Sequence, residues 1–103
     1  MDYEFIKVDR GGEIAVVTFN RPEKANALNQ RHIEEIDHAA QSFRDDDTAR
    51  VVIFTGAGKH FNSGADLTAK DPEHVLLTVR RRRRRIGQHC IQAILDMDQI
   101  TIA

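Results

Sequence analysis

The sequence predicts a mixed α/β fold, and three observations carry that prediction. Residues 3–8 and 14–19 are rich in apolar, β-branched and aromatic residues and are separated by Asp9-Arg10-Gly11-Gly12, the pattern of a β-hairpin. Residues 51–55 (VVIFT) form a short apolar run stopped by glycines 56 and 58, which reads as a strand buried on both faces. Between these segments Ile33, Ile36, Ala40 and Phe43 recur at spacings of three and four, one apolar stripe of an amphipathic helix. A strand, helix, strand order implies a crossover connection. Composition agrees: of 103 residues, 41% are apolar and 6% aromatic, as in an ordinary folded domain of modest core.

Local signals place the boundaries. Pro22 disfavours helix at Arg21, so residues 20–29 are expected to form a structured loop. Asn29 is suited to cap the helix that follows, and acidic residues 45–47 sit poorly at its negative end, where it should fray. Residues 64–67 are expected to make a short helical turn. Asp71 and Pro72, a cap and a first-turn proline, then open a long helix reaching about Met97, with Val75, Val79, Ile86, Cys90 and Ile94 as its buried stripe. Residues 100–103 begin another apolar strand. No internal repeat or linker interrupts this order, so residues 1–103 read as part of one domain.

Charge and composition exclude several classes. The net charge of −1 hides a run of six arginines, residues 80–85; the remainder has nine basic and sixteen acidic residues, a balance of −7. A nucleic-acid binder would show a basic face with interleaved aromatics, which is absent, so no nucleic-acid partner is expected. No stretch nears the ~18 apolar residues of a membrane span, and the acidic start MDYEFIKVD lacks the order of a secretion signal. A soluble, cytoplasmic protein is expected. Cys90 stands alone without a CxxC or Cys/His companion, and the five histidines show no zinc-ligand spacing, so no metal site is expected and the histidines read as surface residues.

Two segments stand out, residues 21–29 (RPEKANALN) and residues 56–67 (GAGKHFNSGADL), each following an expected strand. In the second, a strand leads through glycines into an expected helical turn, where unpaired backbone N–H groups near Gly64 would suit an anion or a developing oxyanion. Neither GxxxxGK[ST] nor GxGxxG is present, which disfavours nucleotide loops of those kinds. His60, in the loop before Gly64, is a candidate for lining the same place.

The two motifs in this order, RPEKANALN after a hairpin and then VVIFTGAGKHFNSGADL after an amphipathic helix, resemble the crotonase (enoyl-CoA hydratase/isomerase) superfamily over nearly the whole chain. The resemblance implies a crotonase-like ββα spiral, of which this chain is the N-terminal part, incomplete at its C-terminal end. It implies an acyl-CoA substrate, no cofactor beyond the coenzyme A of that substrate, and assembly as a homotrimer or hexamer. By motif, the N–H of Ala65 becomes one of two oxyanion donors, and Lys24, Ala25, Ala27, Ser63, Gly64, Asp66 and Leu67 line the path of the coenzyme. The second donor and the acidic residues that hydratases use are implied to lie beyond Ala103. Glu34 and Glu35 match no catalytic position and are expected to be solvated.

Two departures accompany the resemblance. Gln99-Ile100 stands where many relatives have Lys-Pro, and Thr68 replaces a basic residue, leaving Lys70 or Lys24 for a phosphate contact. Arg83, four residues after Val79 and three before Ile86, falls on the buried stripe, so Arg82 or Arg83 is expected to snorkel or to pair with a carboxylate or coenzyme phosphate. The competing readings are a non-catalytic interaction module that uses an open strand edge, and an anionic-polymer binder that uses residues 80–85.

Overall fold

Strand β1 (Ile6–Asp9) pairs antiparallel with β2 (Ile14–Phe19), Ile6 opposite Phe19 and Asp9 opposite Val16. This pairing belongs to a computed structural model that describes residues 1–67 and 76–103. The strand starts later than the apolar run 3–8 suggests because the N–H groups of Glu4 and Phe5 donate to the Glu35 carboxylate instead of to a neighbouring strand. Glu35 is therefore buried, not solvated, and it ties the N-terminal segment to the first helix.

Helix α1 (Gln30–Ser42) opens where Asn29 accepts a hydrogen bond from the His32 N–H at 2.8 Å and ends in a 3-10 turn, Phe43–Asp45, at the acidic run. Its expected stripe is the buried one: Ile36, Ala40 and Phe43 are enclosed, with Ile33 packed at the margin. Burying one such side chain as large as Phe43 contributes about 1.5–3 kcal/mol. His32, expected at the surface, is fully buried four residues before Ile36. Its ring stacks on Phe5 (centroids 6.0 Å apart) and meets Phe19 edge-on (5.5 Å), and neither ring nitrogen has a partner among the described residues.

Strand β3 (Val51–Gly56) lies parallel to β2, and β4 (Ile100–Ile102) lies parallel to β3, giving the order β1-β2-β3-β4. Side chains alternate across a strand. Ala15, Val17 and Phe19 of β2 and Val52 and Phe54 of β3 face a single core shared with α1 and with α2 (Leu77–Leu95). The other face leaves Ile14 exposed and Val16, Val51 and Ile53 half-exposed, so β3 is buried on one face and not on both. Both helices cover the same side of the sheet, which is why.

The Asp71-Pro72 start and Val75 lie outside the described residues, and α2 ends at Leu95, short of Met97. Cys90 and Ala93 are its buried residues, Val79, Ile86 and Ile94 are half-buried, and Ile91 and Leu95 face outward. Five of the six arginines are exposed; Arg83, on the inner side, is half-buried and engaged by another group. Gln99, the residue at the unusual entry to β4, donates from Nε2 to the Phe43 carbonyl at 2.8 Å and so fastens that entry to the end of α1.

Candidate functional site

Because β2 and β3 are parallel with Phe19 opposite Gly56, the loops that leave their C-terminal ends start side by side. Such an edge is where open α/β sheets place ligands. Both motifs lie in these loops.

The first loop turns through a 3-10 segment, Pro22–Lys24, and then holds Ala25 and Asn26 in the left-handed region, φ 51° and 58°. That conformation costs an L-residue on the order of 1–2 kcal/mol. Hydrogen bonds offset it: Asn26 N–H to the Arg21 carbonyl at 3.0 Å, and Ala27 N–H to the Lys24 carbonyl at 3.0 Å. Asn26 is fully buried, and its side chain accepts from the Arg21 N–H (2.8 Å) while donating to the Ala57 (3.0 Å) and His60 (2.7 Å) carbonyls. One amide thus binds the two loops together.

The second loop answers with Asn62, whose Nδ2 donates to the Asn26 carbonyl and whose Oδ1 accepts from the Gly64 N–H, both at 2.7 Å. The Ser63 N–H donates to the Ala25 carbonyl at 3.1 Å. Gly56 is required where the loop folds back, since a Cβ there would lie 2.2 Å from the His60 carbonyl oxygen and 2.5 Å from that of Phe61.

Residues 64–66 do not form the helical turn expected from the sequence: Gly64 sits at φ 95° and the chain then pairs with the first loop. Ala65 forms an isolated parallel bridge with Leu28: the Leu28 N–H donates to the Gly64 carbonyl (2.8 Å) and the Asp66 N–H to the Leu28 carbonyl (2.9 Å). The pairing groups offered by Leu28 outcompete a local turn. In such a ladder the bridged residue's own N–H points to the opposite side. Among the described residues the Ala65 N–H has no hydrogen-bond partner, and Ala65 is exposed.

The other expected site residues divide into two groups. Lys24, Ser63 and Leu67 are exposed and Ala25 and Gly64 half-buried around Ala65, whereas Ala27 is buried beneath them. Asp66 turns inward. Its carboxylate lies 2.7 Å from Arg21 Nη1, with the two side chains 5% and 13% exposed. Removing Asp66 would leave the enclosed Arg21 guanidinium short of its carboxylate, the kind of loss that costs about 3–5 kcal/mol for a buried pair. His60 is exposed and contributes its carbonyl, bonded to Asn26, to the framework. Thr68 and Lys70 lie outside the described residues.

An apolar cleft of about 400 Å3 opens at the same edge, bounded by Phe19, Leu28, Phe54, Phe61, Cys90 and Ile94 among others. Leu28 belongs both to this cleft and to the bridge that orients Ala65. Burial, with Asp37 nearby, pushes the Cys90 thiol up to about 11, so it is a neutral apolar lining group at physiological pH and not a nucleophile. Among the described residues no group of three or more His, Cys, Asp or Glu could hold a metal ion, and no helix is long and apolar enough to cross a membrane.

Arg21, Asn26 and Asn62 are the residues that sequence reasoning missed. Asn26 carried a signal, since asparagine is the ordinary non-glycine occupant of left-handed backbone. Nothing local announces the pairing of Arg21 with Asp66, which are 45 positions apart.

Comparison with known proteins bears on the same stretch. The family model described as enoyl-CoA hydratase/isomerase matches residues 9–103. The chain is 42% identical over 93 residues to the probable enoyl-CoA hydratase 1, peroxisomal, of Arabidopsis thaliana, covering 80% of this chain and 35% of that protein. It is 33% identical over 104 residues to the crotonyl-CoA hydratase of Syntrophomonas wolfei, covering 100% of this chain and 39% of that protein. Among solved structures, an enoyl-CoA hydratase/carnithine racemase from Magnetospirillum magneticum superposes with a TM-score of 0.86 at 29% identity, over 97% of this chain and 38% of that one. The chain thus spans little more than a third of the length of these relatives, and the fold it matches is part of theirs. On the extent of the family match, the chain belongs to the enoyl-CoA hydratase/isomerase family.

Proposed function

We propose that this chain supplies the thioester-binding part of an acyl-CoA enzyme of the enoyl-CoA hydratase/isomerase type, with the Ala65 N–H as an oxyanion donor. The observation that carries the reading is the N–H of exposed Ala65, turned away from Leu28 and without a partner among the described residues, beside an apolar cleft. A donor held in place before the substrate arrives pays no reorganisation when charge develops on the thioester oxygen. It stabilises the enolate that forms when chemistry occurs at the adjacent carbon, and one such donor contributes about 2.7–4 kcal/mol.

In this reading the apolar cleft takes the acyl chain. Lys24, Ala25, Ala27, Ser63, Gly64 and Leu67 flank the coenzyme, small residues letting the thioester approach the backbone and exposed Lys24 offering its ammonium to phosphate. Asp66 contributes through its backbone, its carboxylate being committed to Arg21. Coenzyme A enters as part of the substrate, and the chemistry needs no metal or separate cofactor. The assembly is a homotrimer or hexamer in the cytoplasm, although named relatives include a peroxisomal and a mitochondrial protein.

The test replaces the donor. Ala65→Pro has no N–H, and in a protein of unchanged circular dichroism it is expected to lower kcat on a short 2-enoyl-CoA at least about a hundredfold. Full turnover by the folded variant would remove Ala65 from the mechanism.

A further inference from the structure

We infer that Arg21 and Asp66 are positioning residues, a clamp across the two loops that fixes the direction of the Ala65 N–H; its catalytic consequence rests on the function proposed above. The clamp spans both sides of the bridge. Arg21 Nη1 lies 2.7 Å from Asp66 Oδ2, on the residue after the donor, and donates at 3.1 Å to the carbonyl of Ala27, the residue before Leu28. Ala65 and Leu28 are thus each flanked by a group that the same guanidinium holds.

The bridge needs such help because it is a single pair outside any strand, held by two hydrogen bonds. Little water reaches the ion pair to weaken it. The guanidinium is itself located from one further direction: its carbon lies 5.5 Å from the Phe5 ring centroid, and Phe5 is held in turn by its N–H, which donates to the buried Glu35 carboxylate at 2.8 Å. A line of contacts therefore runs from α1 through Phe5 and Arg21 to Asp66 and the donor. A planar guanidinium can serve a carboxylate and a carbonyl together, which a lysine ammonium does less well. Misplacing a reacting geometry by about 1 Å can cost on the order of a hundredfold in rate.

The experiment uses the natural full-length polypeptide and two readouts, amide hydrogen exchange and steady-state kinetics on a short 2-enoyl-CoA. Arg21→Met is expected to speed exchange at the Leu28 and Asp66 amides about tenfold or more while the amides of β2 and β3 keep their protection. It should lower kcat about tenfold to a hundredfold with KM changed less than about threefold, because a misdirected oxyanion donor is missed chiefly in the transition state. Arg21→Lys should recover part of the lost kcat by pairing Asp66 again. Where Arg21→Met does not fold, Asp66→Asn, of nearly equal volume, carries the same comparison. Unchanged exchange at Leu28 and Asp66 overturns the clamp, and faster exchange with unchanged kcat overturns its catalytic role. Absence of turnover in the unsubstituted protein overturns the proposed function alone, since exchange still decides whether the clamp exists.

Discussion

Burial of His32 disfavours the charged form of its imidazole. Desolvation by burial lowers its pKa from the ordinary value of 6.5; the Ala27 carbonyl and the Glu35 carboxylate act in the opposite sense, and Arg21 adds to the lowering. The folded protein thus binds a proton at His32 less readily than the unfolded chain does. Stability from this residue is complete above about pH 6.5, falls as pH drops below it, and levels off beneath the folded pKa, with a slope of at most about 1.4 kcal/mol per pH unit. Phenylalanine keeps an aromatic ring between Phe5 and Phe19 and takes up no proton, so His32→Phe is expected to flatten the acid limb. Urea unfolding at pH 7, 6 and 5 checks this, and equal pH slopes in the two proteins would refute it. The position of His32 was legible in the sequence, four residues before Ile36 on the apolar stripe. Its burial was not, because residue type argued for the surface and only the packed Phe5 and Phe19 reveal an aromatic slot. Glu35 misleads in the same way: its acceptors are satisfied by the N–H groups of Glu4 and Phe5, a pairing across some thirty residues that no local pattern encodes.

Among the elements, helices and central strands follow from periodicity, whereas the loops follow from tertiary pairing. The Asn29 cap, the α1 stripe and the end of α1 at the acidic run all appear where local rules put them. Residues 64–66 do not, because Leu28 offers a strand-like edge that the sequence does not advertise. The glycine that stops β3 shows the same coupling. Its role is a close approach, as a Cβ at residue 56 would meet two carbonyl oxygens and the Asn26 amide within 2.8 Å. Backbone cannot yield as a flexible side-chain tip can, so Gly56→Ala is expected to cost about 1–3 kcal/mol and to loosen both loops. Asn29→Ala, which removes a cap at 2.8 Å, should cost about 1 kcal/mol and leave the loops in place. Thermal unfolding ranks the two, and amide exchange at Leu28 and Asp66 separates them; a Gly56→Ala protein with wild-type exchange there would contradict the packing argument.

At the scale of the whole molecule, the described surface carries one apolar region that a monomer of this size would not usually leave open. On the sheet face away from the helices, Ile100 (67% exposed) and Ile102 (49%) of β4, the last strand of the described sheet, continue the row formed by exposed Ile14 and half-exposed Val51 and Ile53. An apolar edge strand of this kind is a template for pairing with another chain. Resemblance implies a second oxyanion donor and acid/base carboxylates past the strand at Ile100, and Glu35 cannot substitute because its carboxylate is occupied by backbone N–H groups. Lacking one donor costs on the order of a hundredfold or more, and lacking the acid/base groups about a hundredfold to ten-thousandfold. These losses fall on one step and do not simply add, yet either brings a weak activity towards background. Residues 1–103 on their own are therefore expected to self-associate and to show no hydration of a short 2-enoyl-CoA above background. Sedimentation and a turnover assay, run beside the longest natural polypeptide that carries this sequence, check both expectations. Clear turnover by residues 1–103 would mean that the second donor and the proton-transfer groups lie within this chain, and would move the search for them to its exposed carboxylates.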